Sequence, residues 1–134
     1  MNNFTNILRE HNLKATPQRL AMLEFISIYG HINVDRLYEN IKNRFSSISL
    51  ATIYKNINSM IDNKLLFEVK LPNKKSVYEI TKNKHSHLLC ENCGDIIDIE
   101  VNIDDKIQEI IKNNNFNIKQ SDLVFSGICK DCKK

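Results

Sequence analysis

The sequence is poor in the residues that build flexible or membrane-spanning segments. Its 134 residues include only three glycines and two prolines, too few for a flexible linker or a low-complexity tract. No apolar run approaches the ~18 residues that cross a bilayer, and the first residues lack the basic and then apolar layout of a secretory signal. We therefore expect a cytoplasmic protein without membrane contact, folded as one domain or two small ones.

Cysteine is also scarce, and all four cysteines fall into two Cys-x-x-Cys pairs, Cys90 with Cys93 and Cys129 with Cys132. In a reducing cytoplasm such pairs bind metal or act as redox thiols, since stable disulfides are rare there. Four thiolates are typical of a closed structural zinc site. The alternatives are free buried thiols and a redox switch in which disulfides form and zinc is released.

The sequence strings that mark zinc enzymes are missing as well. A zinc deaminase needs His-x-Glu with Pro-Cys-x-x-Cys, and a metalloprotease needs His-Glu-x-x-His. Neither string occurs in the chain. We therefore expect that the protein is not an enzyme.

Positive charge is concentrated in the first part of the chain. Residues 1–80 carry 11 Lys/Arg against 7 Asp/Glu, whereas residues 81–134 carry 8 against 9. The resulting excess of +4 in residues 1–80 is a weak indication of a polyanionic partner. A solvated charged surface is the commoner explanation.

The first part of the chain predicts consecutive helices followed by a hairpin. Thr16 and Ser49 are good N-caps, and Gly30 can end a helix. Helices are predicted at about residues 4–11, 17–29, 33–45 and 50–61, and hairpin strands at 65–71 and 76–81. This order is that of a winged helix-turn-helix domain, whose recognition helix lies in the DNA major groove.

The fourth predicted helix is the candidate recognition helix. Its apolar positions fall on one arc, at Leu50, Ile53, Ile57, Met60 and Ile61. The opposite face is small, polar and basic, a pattern that an ordinary amphipathic helix also has. In the winged-helix context, Tyr54 and Lys55 would approach bases, and Ser49 with the helix N-terminus would hold a phosphate. Lys14 and Arg19 would add positive charge nearby.

The remainder of the chain predicts a small second unit. Short strands are expected at 88–89 and 96–99, a helix at 104–114 and a last strand at 117–128. Exposed edges and apolar faces in so small a unit predict a homodimer. We therefore predict an α+β protein with a winged helix-turn-helix DNA-binding domain at 1–81 and a small α/β dimerisation and metal-binding domain at 82–134.

Histidines and carboxylates suggest a second metal site. His85 and His87 are two positions apart and would point to the same side of a strand. Glu79 and Asp98 are nearby in sequence, and His31 is available from the first domain. Each has an ordinary explanation alone, as a surface, cap or solvated residue. Together they predict a site across the domain junction for Fe(II), Mn(II), Zn(II) or Ni(II).

Four motifs in this order resemble the ferric uptake regulator (Fur) family of metal-dependent bacterial repressors. They are Leu13 to Arg19, Ile48 to Ile57, His85 to Gly94 and Cys129 to Cys132. The resemblance implies a dimer on palindromic double-stranded operator DNA, with Lys14 in the minor groove and Tyr54 and Lys55 on bases. It implies structural Zn²⁺ at the four cysteines. It also implies a regulatory metal, Fe²⁺ or Mn²⁺ with Zn²⁺ able to bind in vitro, at His31, Glu79, His85, His87 and Asp98.

The ligands also indicate a branch within this family. Asp98 resembles the peroxide-sensing branch, since iron-sensing members usually carry Glu there. Ser86 and Ser121 occupy places where many iron sensors have Asp and His, so a further metal site of that branch is not expected. Glu79, however, stands where the peroxide-sensing branch has Asp.

The resemblance therefore predicts a repressor for which peroxide is a signal and not a substrate. Metal-catalysed oxidation of a ligand histidine, His31 or His85, would destroy the regulatory site and release the DNA. The alternative is an iron-responsive repressor without peroxide sensing.

Overall fold

A computed structural model describes residues 3–82 and 85–133. The chain divides into two compact units, Met1–Lys82 and Asn83–Lys134. Each unit contains one three-stranded sheet. Among the described residues, every helix is too short or too polar to cross a lipid bilayer.

The first unit has the element order of a winged helix, preceded by one short helix. Its elements are α1 (Phe4–Glu10), α2 (Pro17–Tyr29), β1 (Ile32–Asn33), α3 (Val34–Arg44), α4 (Leu50–Asp62), β2 (Leu66–Val69) and β3 (Val77–Ile80). The strands pair antiparallel in the order β1-β3-β2. In winged-helix domains, the positions of α4 and of the β2–β3 hairpin are those of the recognition helix and of the wing.

The helix boundaries follow the predicted capping residues. The Thr16 hydroxyl accepts a hydrogen bond from the Arg19 N–H at 3.2 Å, and Pro17 occupies the first helical position, where its missing N–H costs nothing. Gly30 ends α2 at φ 76°, a conformation that glycine adopts without strain. The Ser49 hydroxyl accepts from the Thr52 N–H at 3.1 Å and so caps α4. These predictions are confirmed.

The buried side of α4 holds it against the rest of the first unit. Ile53, Ile57 and Met60 are fully buried in a core shared with the other three helices and the sheet. Leu50 belongs to the same arc by its spacing, but it is 39% exposed and does not join the core. It lies in the first turn of α4, where the apolar side of the helix is open to solvent.

The second unit is a three-stranded sheet with one helix. Its elements are β4 (Ser86–Cys90), β5 (Ile96–Ile99), α5 (Asp104–Asn114) and β6 (Val124–Gly127). In the order β5-β4-β6, β5 pairs antiparallel and β6 parallel to the central strand. The predicted last strand at 117–128 was too long. The strand begins at Val124, which faces His87 on β4, and it ends at Gly127.

One face of this second sheet leaves apolar side chains in solvent. Leu88 on the central strand faces Ile97 on one neighbour and Phe125 on the other. These side chains are 36%, 47% and 49% exposed, respectively. In α5, all of whose residues are described, none is buried. The second unit therefore exposes a row of apolar side chains, and contiguous exposed apolar surface can mark an interface.

Candidate metal centres and nucleic-acid interface

The four cysteines converge at one end of the second sheet. Cys90 ends β4, and Cys93 lies in the turn that follows. Because β6 runs parallel to β4, with Gly127 facing Cys90, the chain delivers Cys129 and Cys132 to the same end. All four sulfur atoms lie within 4.8 Å of one another, and the Sγ atoms of Cys93 and Cys129 are 3.7 Å apart.

This geometry fits a tetrahedral zinc ion. Zinc–sulfur bonds of about 2.3 Å place tetrahedral sulfur atoms roughly 3.8 Å apart. The 3.7 Å separation of Cys93 and Cys129 matches that value. Two backbone N–H groups, from Cys93 at 3.5 Å and Cys129 at 3.3 Å, also donate to the Cys90 sulfur. Such N–H donors orient a metal-bound thiolate and stabilise its charge.

The pKa values of two of these thiols are shifted in opposite directions. Backbone donation from Cys93 and then Cys129 lowers the pKa of Cys90 to about 6. At Cys93, donation by the Asp95 backbone favours the thiolate. The thiols of Cys90, Cys129 and Cys132, together with burial, outweigh it and raise the pKa of Cys93 to about 12. One thiolate therefore forms easily, whereas further thiolates need a compensating metal charge.

In the first unit, His31 and Glu79 form a close pair. Nε2 of His31 lies 2.8 Å from Oε2 of Glu79. The sequence did not predict the strand that explains this contact. In the β1–β3 register Ile32 faces Tyr78, so His31, one residue earlier, comes opposite Glu79, one residue later. Glu79 is 2% exposed, and a carboxylate so deeply buried requires a hydrogen-bonded or cationic partner.

In the second unit, His85, His87 and Asp98 form another group. His87 faces Asp98 across the β4–β5 ladder, and His85 lies two residues earlier on the same side. Oδ1 of Asp98 is 3.6 Å from Nε2 of His85 and 3.5 Å from Nε2 of His87. The two imidazole rings meet edge to face, with centroids 4.5 Å apart.

Both groups carry donors suited to a divalent transition metal. Metal–ligand bonds of about 2.0–2.2 Å put neighbouring ligand atoms roughly 3.0–3.5 Å apart, depending on coordination number. The contact in the first unit is slightly shorter, at 2.8 Å, and those in the second reach 3.6 Å. Imidazole and carboxylate donors suit iron, manganese and zinc, so the residues fit such an ion.

The residues predicted to bind DNA divide into two classes in the structure. Lys14, in the loop between α1 and α2, and Tyr54 and Lys55 on α4 have exposed side chains. Ser49 is exposed at the start of α4, where its hydroxyl caps the helix and lies 3.0 Å from the Thr52 hydroxyl. The exposed side of α4 is thus basic and aromatic, with backbone N–H groups at its N-terminus available to an anion.

Arg19 is the exception, because its guanidinium bonds within the protein. It donates from Nη1 to the Lys14 carbonyl and from Nε to Oδ1 of Asn56 on α4, each at 3.1 Å. Asn56 was not predicted from the sequence as part of this surface. Its position four residues after Thr52, beside the polar face of α4, was the only available signal.

Comparison with known proteins agrees with this architecture. The model of the ferric uptake regulator family matches residues 10–126. The chain is 31% identical over 128 residues to the peroxide-responsive repressor PerR of Staphylococcus saprophyticus, covering 94% of this chain and 86% of that protein.

Two solved structures are also similar. The Campylobacter jejuni peroxide stress regulator is 34% identical with a TM-score of 0.68, covering 98% of this chain and 100% of that one. The Vibrio cholerae ferric uptake regulator (Fur) is 29% identical with a TM-score of 0.74, covering 95% and 100%. The chain therefore belongs to the ferric uptake regulator family, whose members are transcriptional regulators and not enzymes.

Proposed function

We propose that the protein is a metal-dependent transcriptional repressor of the cytoplasm that binds palindromic operator DNA as a homodimer and releases it in response to peroxide. The observation that carries the proposal is the presence of metal-ligand groups in both units. His31 and Glu79 lie in the first unit, and His85, His87 and Asp98 in the second. We propose that all five hold one regulatory ion, iron(II) or manganese(II), with zinc(II) able to replace it in vitro.

A metal with ligands from both units would control DNA binding by favouring one arrangement of those units. A ligand shifts a conformational equilibrium only if it binds one state better than another. A five-ligand site is complete only in the arrangement that brings both groups together, so its metal affinity differs between states. Metal occupancy and operator affinity are then coupled.

The DNA-binding surface would be the exposed side of α4 together with the loop that carries Lys14. Tyr54 and Lys55 would contact base edges, and Ser49 would lie beside a phosphate at the helix N-terminus. Lys14 would enter the adjacent minor groove. Two copies related by a twofold axis would read half-sites about one helical turn, or a small multiple, apart.

Dimerisation through the second unit is supported by the apolar surface that this unit exposes. Leu88, Ile97 and Phe125 form a row across all three strands of its sheet. A second copy can cover that surface symmetrically, which is the commonest arrangement in oligomers. The four-cysteine zinc site would hold the two ends of this small unit together and contribute to its folding.

Peroxide sensing is supported by the names of the similar regulators and by Asp98, the residue that favours the peroxide-sensing branch. Iron(II) held by these residues would promote the reaction with hydrogen peroxide and would not be consumed. An imidazole carbon of His31 or His85 would exchange its C–H bond for C–OH while the other peroxide oxygen leaves as water, and the ring would lose its capacity as a ligand. Loss of one imidazole would weaken the regulatory site and release the operator.

A second candidate function is an iron-responsive repressor without peroxide sensing. Glu79 favours it, because the peroxide-sensing branch has Asp at this place. The buried Glu79 carboxylate and its contact with His31 would serve either function. The two functions differ in what peroxide does to the iron-loaded protein.

One binding experiment tests the proposal. The full chain, with zinc retained at the cysteines, selects a palindromic operator from random duplex DNA in the presence of Mn(II). Its affinity is then measured with Fe(II), Mn(II) or Zn(II), each before and after hydrogen peroxide. We expect metal-dependent binding that peroxide abolishes with iron but not with manganese. Operator binding that does not depend on added metal would contradict the model of a metal-dependent repressor. Iron-loaded protein that still binds the operator after peroxide would favour the iron sensor.

A further inference from the structure

We infer that Arg19 is a positioning residue that joins two DNA-contacting segments and does not itself contact DNA. The inference rests on the proposed function, in which the Lys14 loop (residues 11–16) and α4 both meet the operator. The charge of Arg19 predicts a place on the DNA-binding surface. In the structure, its guanidinium bonds to other groups of the protein.

Arg19 donates hydrogen bonds in two different directions. Nη1 donates to the Lys14 carbonyl and Nε to Oδ1 of Asn56, each at 3.1 Å. The Lys14 carbonyl also accepts from the Thr16 N–H at 3.1 Å. The backbone is thus held from two sides at the residue whose side chain would enter the minor groove.

Asn56 is in turn fixed to its own helix. Its Nδ2 donates to the Thr52 carbonyl at 3.1 Å, one turn earlier, while its Oδ1 accepts from Arg19. Asn56 directly follows Tyr54 and Lys55, the proposed base contacts. Arg19 and Asn56 are both partly buried, so solvent screens their bond less than a surface contact. We call this chain of hydrogen bonds, from Lys14 through Arg19 and Asn56 to Thr52, the Arg19 strut.

The strut needs the shape of arginine and not only its charge. A guanidinium carries donors in a fixed planar fork and can bond along two directions at once. A lysine ammonium is a single point charge at the end of a flexible stem. Arg19→Lys therefore keeps the charge at this position and breaks the strut. This substitution separates positioning from a direct electrostatic contact with phosphate.

The test uses the Mn(II)-loaded full chain and the operator that the wild type selects, with affinity measured by fluorescence anisotropy over a range of salt concentrations. Arg19→Lys and Asn56→Ala should each weaken binding roughly tenfold, the value of a hydrogen bond to a charged group. The double variant should be little weaker than either single variant, because both remove the same bond.

Two further measurements would stay unchanged if Arg19 only stabilised the fold. Lys14→Ala should weaken binding in the wild type but much less in the Arg19→Lys background, where Lys14 is no longer held in place. Arg19→Lys should also lower the salt-dependence slope by about one, although the formal charge is unchanged. Arg36→Lys, the same chemical change on α3, should leave both readouts as in the wild type.

The outcomes are distinguishable. The inference would be overturned if Arg19→Lys bound the operator like the wild type. It would also be overturned if Lys14→Ala caused an equal loss of affinity in both backgrounds. Either result would leave the proposed function intact. A wild type that fails to bind any operator with metal would overturn the proposed function, and the strut with it. Thermal unfolding of each variant verifies folding. Asn56→Ala repeats the test without changing Arg19.

Discussion

His31 and Glu79 face each other across the register of β1 and β3, with Nε2 and Oε2 2.8 Å apart. Because Glu79 is almost fully buried, its negative charge must be compensated within the protein. A protonated imidazole or a metal ion held jointly with His31 can do this. This pair is therefore the part of the first unit through which the proposed regulatory metal would act.

Replacing His31 by alanine should abolish metal-dependent operator binding. The substitution removes one imidazole ligand and leaves the four-cysteine site untouched. Asn43→Ala is the control, because Asn43 is an exposed residue of α3 in the same unit and lies outside the two ligand groups. Anisotropy titrations with Mn(II) measure the effect. If operator binding by His31→Ala depended on metal as in the wild type, His31 would not be a ligand of the regulatory site.

Replacing Cys129 by serine should release the tightly bound zinc and unfold the second unit. Few of the described residues of that unit are buried, so zinc bound at the cysteines would supply much of its stability. Zinc content by elemental analysis and circular dichroism are the measurements. Lys130→Ala, an exposed change within the same Cys-x-x-Cys pair, should retain the metal. A folded Cys129→Ser protein that keeps its zinc would contradict the four-thiolate assignment.

Replacing Lys55 by alanine should weaken operator binding roughly tenfold, the scale of one lost base or phosphate contact. Lys55 is exposed on α4, beside Tyr54. Lys42→Ala removes the same charge from α3, where the ammonium lies 5.6 Å from the Tyr38 ring centroid, and should change affinity little. Equal losses in the two variants would indicate a general charge effect and not a contact made by α4.

Peroxide treatment of the iron-loaded protein should add the mass of one oxygen atom to a peptide containing His31 or His85. Peptide mass spectrometry locates the addition. The manganese-loaded protein is the control and should remain unmodified, because manganese(II) does not promote this reaction as readily. Oxidation confined to the cysteines would favour the thiol switch over histidine oxidation.

The packing of α4 predicts stability losses of different size at two of its apolar residues. Ile57→Ala should lower the free energy of unfolding of the first unit by about 2–5 kcal/mol, because Ile57 is fully buried and truncation leaves a cavity. Leu50→Ala should cost less than about 1 kcal/mol, since Leu50 is 39% exposed. Chemical denaturation compares them. Similar losses would mean that Leu50 is packed in solution.

Local signals predicted most of the fold because each helix carries its own start or stop residue. Thr16, Gly30 and Ser49 marked boundaries that the structure confirms within one or two residues. The β1 strand was missed, since two residues are too few for any periodicity. The last strand was predicted too long because its length is set by β4, a partner distant in sequence.

The candidate sites were predictable where spacing along one strand or turn defines them. The cysteine pairs and the His85/His87 pair belong to this class. Contacts across the fold were not predictable from one sequence. The opposition of His31 and Glu79 depends on strand register, and the bond from Arg19 to Asn56 joins helices that are 37 residues apart at these positions.

The central claim is that one metal site controls operator binding, and reciprocity tests it most directly. If Mn(II) raises operator affinity by some factor, the operator must raise Mn(II) affinity by the same factor. The measurement is the Mn(II) affinity of the zinc-loaded protein, free and bound to its operator. We predict tighter Mn(II) binding in the complex and loss of that difference in His31→Ala. Equal Mn(II) affinities with and without DNA would contradict the claim.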